Sequence, residues 1–140
     1  MSEKLNLPVR VYWEDTDASG IVYHANYIKF MERARSNFMT QMGYNQNVLR
    51  EKGFGFVVAK IEIAYKRPAK LDETLSVKTR LLELKNASMV FEQCIWRDNE
   101  LLTEATVRLG FINIQTGRPE AIPADMREKL LPYLDTHEDN

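Results

Sequence analysis

Residues 26–43, NYIKFMERARSNFMTQMG, decide the architecture. Apolar side chains at Tyr27, Phe30, Met31, Ala34, Phe38 and Met42 recur at helical spacing, while Lys29, Glu32, Arg33, Arg35 and Asn37 fall elsewhere on the wheel. The pattern predicts one long amphipathic helix beginning near Asn26, and Gly43 supplies its stop. Arg33 and Arg35 are expected to solvate that helix or to meet another subunit.

On the N-terminal side, Leu7 to Trp13 is short and rich in Val, Tyr and Trp, so it reads as a strand that ends where EDTDASG begins. On the C-terminal side, FGFVVAKIEIAYKRP (54–68) alternates. Val57, Ala59, Ile61, Ile63 and Tyr65 are expected on a buried face and Lys60, Glu62 and Lys66 mostly on the other, with Pro68 ending the strand. Three more strands follow at about Thr74 to Leu84, Ser88 to Arg97 and Leu101 to Ile114, the last two joined through a tight turn at Asp98-Asn99. A short helix over PADMREKLLPYL (123–134), with Pro123 in its first turn, completes the order. One strand, one long helix, a four-strand meander and a short helix give an α+β fold, an antiparallel sheet of about five strands layered on one helix.

The 140 residues suit a single domain spanning 1–140, with 135–140 as a flexible tail in which His137 is solvated. Nineteen basic and twenty acidic residues leave a net charge of -1, so no broad basic field points to nucleic acid or an anionic membrane. No apolar run approaches the roughly 20 residues that span a bilayer, and the N-terminus lacks a secretory h-region, so no membrane insertion is expected. A single cysteine, Cys94, excludes an intrachain disulfide and a cysteine-based zinc site, which fits a reducing cytoplasm. Cys94 alternates with Val90 and Trp96 and is expected to pack rather than react.

The polar stretch EDTDASGIVYHANY (14–27) lies between the first strand and the helix. Asp15, Asp17, Ser19 and Gly20 match the start of a calcium loop, but position twelve is Asn26 instead of glutamate and a strand precedes the loop. No metal site is expected. Aspartate and serine oxygens also bond backbone amides where a chain turns, the role favoured for Asp15.

DTDASGIVYHANY (15–27) resembles the active-site signature of the hot-dog thioesterases of the 4-hydroxybenzoyl-CoA thioesterase class. The flanking VRVYWE (9–14) and IKFMERAR (28–35), and AYKRPAKLDETL (64–75), are similar to the acyl-CoA thioesterase subgroup associated with the bacterial Tol-Pal system. The resemblance implies a hot-dog fold, hydrolysis of an acyl-CoA or acyl-carrier-protein thioester, no cofactor beyond the coenzyme A of the substrate, and a homodimer or homotetramer. It assigns the catalytic carboxylate to Asp17, as general base or nucleophile. It also places a main-chain amide at His24 on the thioester carbonyl, where the start of a helix offers unpaired amides and a positive dipole end.

The His24 imidazole can shuttle a proton or bond the loop. Gly20, Tyr23 and Asn26 complete the expected binding site, with Asn26 also read as the helix cap and Tyr23 and Tyr27 as pocket wall or core. The phosphates of coenzyme A ask for local cations. Lys66, Arg67 and Lys70 form the densest basic cluster, and relatives use the hairpin corresponding to LKNASM (84–89), where Lys85 and Ser88 are the candidates. The acyl pocket is expected among Phe54, Phe56, Val57, Val58, Met31 and Phe38. Two alternatives stand beside hydrolysis: a hot-dog hydratase or dehydratase using Asp17 with His24, and a weakly catalytic module that binds acyl-carrier protein.

Overall fold

The computed structural model describes residues 5–135. His137 and the tail beyond Asp135 lie outside the described residues. Strand β1 (Asn6–Arg10) leads through a 3-10 turn (Trp13–Asp15) to helix α1 (His24–Gln41) and a short helix α2 (Gln46–Glu51). Strands β2 (Phe54–Tyr65), β3 (Thr74–Leu84), β4 (Ser88–Arg97) and β5 (Glu100–Asn113) follow, then α3 (Ala124–Leu130) and a 3-10 turn (Leu131–Tyr133). Asp135 is not loose: its amide donates to the Leu81 carbonyl at 2.8 Å, and its carboxylate accepts from Arg80 Nε at 2.9 Å.

The sheet is five-stranded and antiparallel in the order β1-β3-β4-β5-β2. Only β3, β4 and β5 form a meander. Strand β2 crosses to the far edge and pairs with β5, Phe54 opposite Asn113 and Tyr65 opposite Thr103, so the expected four-strand meander is corrected. The Asp98-Asn99 turn forms as expected, with Asp98 at φ 52. Strand β1 ends sooner than its composition suggests, because the Asp15 carboxylate takes the Tyr12 amide at 3.0 Å and leaves Tyr12 and Trp13 exposed.

Helix α1 buries the predicted stripe of Tyr27, Phe30, Met31, Ala34 and Phe38 against the sheet. Its first half packs with Val9, Val11, Val77 and Ile95. Its second half packs with Leu81, Phe91, Val107 and Phe111, a cluster closed by Met126 and Leu130 of α3. The helix starts at His24, two residues before the apolar rhythm begins, so Asn26 lies inside the first turn and Tyr23 is the N-cap. Arg33 stays at the surface, its guanidinium 5.8 Å from the centre of the Phe30 ring. Arg35 does not solvate the helix. It is 6% exposed and donates to Gln93 Oε1 at 2.8 Å across the layer.

The alternation in β2 breaks once. Val58 pairs with Leu109 and Lys60 with Arg108, leaving Ala59 as an extra residue. The bulge moves the inner face from Phe54, Phe56 and Val58 to Ile61, Ile63 and Tyr65. Val57, expected inside with Ile61, is therefore outside and 43% exposed. Cys94 is half-buried, and burial pushes its thiol up to about 11, which leaves it protonated and inert at neutral pH.

Candidate active site

The loop between β1 and α1 is built around Asp15, which is 8% exposed. One carboxylate oxygen accepts from the Tyr12 amide and the other from Asn26 Nδ2 at 2.9 Å, while its carbonyl accepts from the Tyr23 amide at 3.0 Å. The loop is thereby pinned to the first turn of α1. Asn26, itself 9% exposed, holds this pin and does not cap the helix, since a residue inside the first turn cannot reach back over the free amides.

Beyond Asp15 the chain makes a tight turn. The Asp17 amide donates to the Ile21 carbonyl at 2.8 Å and the Gly20 amide to the Asp17 carbonyl at 3.1 Å. Gly20 sits at φ +79 with no atom within 4 Å of an added Cβ, so the turn requires glycine for conformation and not for space. The turn is tied to the segment after β2: Val22 donates to the Ala69 carbonyl at 2.9 Å and Leu71 to that of Gly20 at 3.0 Å. The Tyr27 hydroxyl accepts from the Ala69 amide at 2.9 Å.

Asp17 is exposed at this turn. Its carboxylate accepts from the Ser19 hydroxyl at 2.5 Å and the Ser19 amide at 2.8 Å. The hydroxyl bond first, and then the amide, hold its pKa below the ordinary aspartate value. Close by in the chain, the amides of His24 and Ala25 open an 18-residue helix and donate to no protein acceptor among the described residues. An anionic carboxylate and a pair of free amides at a positive dipole end are therefore carried by one pinned loop.

The Tyr65 hydroxyl donates to the His24 carbonyl at 3.0 Å, and its ring lies edge-on to the imidazole with centroids 6.3 Å apart. Tyr65 was read only as a strand residue. Its place at the last inward position of β2 becomes visible only once β2 is paired. The Tyr23 ring is 4.5 Å from that of His24. His24 lines an open, mainly apolar hollow of about 280 Å³ together with Ile21, Val22, Tyr27, Tyr65 and Pro68. Arg67 reaches this hollow, and Asp17 is not among its lining residues.

The basic cluster is largely offset by acids from other strands. Arg67 pairs with Glu100 at 3.1 Å and Lys66 with Glu104 at 3.9 Å. Arg97 bonds Glu73, Glu100 and the Pro68 carbonyl, bracing the β4–β5 turn against the YKRP segment. Lys85 and Ser88 are not brought to His24. Ser88 pairs with Gly110 and thereby faces Val57, whereas Tyr65 shares the far rung with Thr103 and Ile95. At about 3.4 Å per residue Ser88 and Ile95 stand roughly 24 Å apart along β4.

A second cavity, of about 180 Å³, opens between the C-terminal half of α1, α2 and the β2 side of the sheet. Of the residues expected to shape an acyl pocket, Phe56 and Val58 line it. Met31 and Phe38 are consumed by the core, Phe54 packs on Phe111, and Val57 faces outward. Among the described residues no group of three or more His, Cys, Asp or Glu side chains is placed to hold a metal ion.

The sequence pattern of the thioesterase-like superfamily matches residues 11–130. The acyl-CoA thioesterase YbgC of Haemophilus influenzae is 41% identical over 123 residues, 87% of this chain and 90% of that protein. The acyl-CoA thioesterase YbgC of Helicobacter pylori is 39% identical over 131 residues, 86% of this chain and 96% of its own. Among solved structures, a probable thioesterase from Bartonella henselae is 40% identical and superposes with a TM-score of 0.79, covering 84% of this chain and 98% of that one. The sheet layered on α1 is accordingly a hot-dog fold. With a pattern spanning most of the chain and relatives this similar over most of their own length, the chain belongs to the thioesterase-like superfamily.

Proposed function

We propose that the protein hydrolyses an acyl-CoA thioester to a free carboxylic acid and coenzyme A, with Asp17 as the catalytic carboxylate and the α1 amides as the oxyanion site. The observation that carries the reading is the pairing, on one pinned loop, of an exposed and readily ionised Asp17 with the unpaired amides of His24 and Ala25. The names of the relatives support the substrate class.

In the general-base route Asp17 takes a proton from water as the water oxygen bonds to the thioester carbon. The carbonyl electron pair moves onto oxygen and is held by the amides. When the carbonyl re-forms, the C–S bond breaks and the thiolate is protonated. In the nucleophilic route a carboxylate oxygen of Asp17 forms the new bond, the thiolate leaves, and water cleaves the resulting anhydride. Each route charges the same carbonyl oxygen, where one amide donor is worth about 2.7–4 kcal/mol. The His24 imidazole, which lies beside the hollow and against the rings of Tyr23 and Tyr65, gives the thiolate its proton.

The substrate site is completed by a second copy of the chain. Strand β2 is a sheet edge that exposes Val57, Val58 and Tyr65 at 43%, 49% and 45%. Lys85 and Ser88, remote from His24 in one chain, hold the nucleotide from the partner, while Arg67 approaches it from the His24 side. Gly20 shapes the turn that presents Asp17. Coenzyme A or an acyl-carrier protein delivers the acyl group, no further cofactor takes part, and the unpaired thiol of Cys94 suits the cytoplasm.

The test is thiol release from a panel of acyl-CoAs by wild type and Asp17→Asn. The variant is expected to lose about 10²-fold or more in kcat with its melting temperature little changed. Equal rates would remove Asp17 from the chemistry. Reversible loss of enoyl absorbance with crotonyl-CoA, without thiol release, would assign the site to hydration instead.

A further inference from the structure

Arg35 is the most deeply buried cation among the described residues, 6% exposed on the sheet-facing side of α1. Among the described residues its one hydrogen-bond partner is Gln93 Oε1, a neutral acceptor, and no carboxylate comes within ion-pair distance of it. Gln93 is fully committed: its Nε2 donates to the Met31 carbonyl at 2.9 Å and to Thr79 Oγ1 at 3.1 Å. Burial pushes the guanidinium below its usual pKa, opposed only by the field of Glu32, which is exposed one turn earlier on the same helix. A buried charge that no carboxylate pairs with directly is costly and calls for an explanation.

The cavity of about 180 Å³ supplies one. Arg35 lines it, the remaining walls are chiefly Met39, Leu49, Phe56, Met89, Phe91 and Leu109, and the other polar lining groups are Glu32, Ser36 and Gln46. An apolar cavity of about 150 Å³ accepts a benzene molecule, so this one accommodates a body of similar or slightly greater size. A planar fork of donors at the edge of such a chamber matches a carboxylate, which can engage two guanidinium nitrogens at once.

We propose that this chamber binds a small apolar monocarboxylate, a body of six to eight carbon atoms packed on Met39, Leu49 and Phe91 with its carboxylate on Arg35. The site lies on the other half of α1 from the free amides: His24 and Arg35 are separated by roughly 16 Å along the helix axis, at 1.5 Å per residue. Its ligand class is that of the acid released by the hydrolysis described above. The proposal rests on that reading only for which acid fills the chamber in the cell. Binding itself requires no turnover.

The probes are sodium hexanoate and sodium benzoate, with hexanamide and benzamide as neutral counterparts, titrated calorimetrically into the full chain. One saturable site per chain is expected, with the amides weaker by about 10-fold or more, the range set by a charge-assisted hydrogen bond. Arg35→Met should weaken the carboxylates by a similar factor, and Glu32→Gln should tighten them by removing a neighbouring negative charge. Leu49→Trp, which fills the chamber and keeps Arg35, serves where Arg35→Met fails to fold; it should abolish binding of acids and amides alike. No saturation with either acid, equal affinity for acid and amide, or binding that survives Leu49→Trp would each overturn the proposal. Asp17→Asn should leave the titration unchanged, so failure of the carboxylate site and failure of the hydrolytic reading give different results.

Discussion

Replacing Asn26 by alanine tests whether the Asp15–Asn26 contact holds the loop that carries Asp17. Both residues are nearly inaccessible, at 8% and 9%, and the bond between them is 2.9 Å long with an acceptor that carries charge when ionised. Its removal leaves Asp15 with the Tyr12 amide alone. Hydrogen bonds to charged groups contribute about 1.5–3 kcal/mol, so Asn26→Ala should destabilise the fold by about 2 kcal/mol. For a chain of this size that corresponds to a melting point lower by roughly 7 °C. Urea melts of Asn26→Ala, Asp15→Ala and the double variant measure the coupling between the two side chains, expected at about 1.5 kcal/mol or more. Because the contact sets the loop against the free amides, kcat should fall by about tenfold at a temperature where the variant remains folded. A coupling energy below about 0.5 kcal/mol would refute the energetic argument. Unchanged kcat in a destabilised variant would refute the positioning argument.

Three further outcomes are expected. Asp17 has a folded-state pKa below its unfolded value, so the stability it adds is present above the ordinary value of about 3.9 and is lost as pH falls through the folded value. The acid limb of kcat/KM should accordingly lie below that ordinary value and move upward in Ser19→Ala, which removes the largest cause of the shift; a limb unmoved by this change would detach Ser19 from the base. Gln93→Leu strands the Arg35 guanidinium, the Thr79 hydroxyl and the Met31 carbonyl together and should cost about 3–5 kcal/mol in urea unfolding, whereas a loss under 1 kcal/mol would mean that the layer relaxes around the change. Sedimentation at micromolar concentration should give a dimer or tetramer, weakened by Val57→Asp on the exposed β2 edge; a species with the mass of one chain in the wild type would contradict completion of the site by a second copy.

Periodicity carried much of the fold. Strands β3 and β4 were legible to the residue, because polar turns bound both, although a bulge between Leu81 and Glu83 and the successive buried Met89, Val90 and Phe91 interrupt their alternation. Helix α1 was legible from its stripe, yet its start was not, since His24 and Ala25 form a turn that buries no apolar side chain to mark it. Helix α2 was missed: six residues are too few for a stripe, and its cap, Asn45 Oδ1 accepting from Asn47 at 2.7 Å, reads equally well as a loop. Pairing is a long-range property, so nothing local announced that β2 would join β5 and leave β3 to β1. The loop residues Asp15, Asp17 and Gly20 were recognisable as a turn because they are neighbours in sequence. Arg35 looked like a surface charge because Gln93, its partner, comes 58 residues later. Lys85 and Ser88 could be nominated by type, but their separation from His24 is set by the length of β4.

The extra residue at Ala59 makes the length of β2 part of its meaning. Val58, Lys60 and Ile61 stand opposite Leu109, Arg108 and Val107 in unbroken order, so a single-codon deletion of Ala59 would regularise the ladder and leave both arms facing as they do. A deletion elsewhere in the strand would instead draw Ala59 into the ladder and turn over the residues between it and the lost position: loss of Glu62, for example, would turn Lys60 inward and Ile61 outward. Shortening at the bulge should therefore be sorted with the tolerated changes, and the damage done by a deletion should grow with its distance from Ala59.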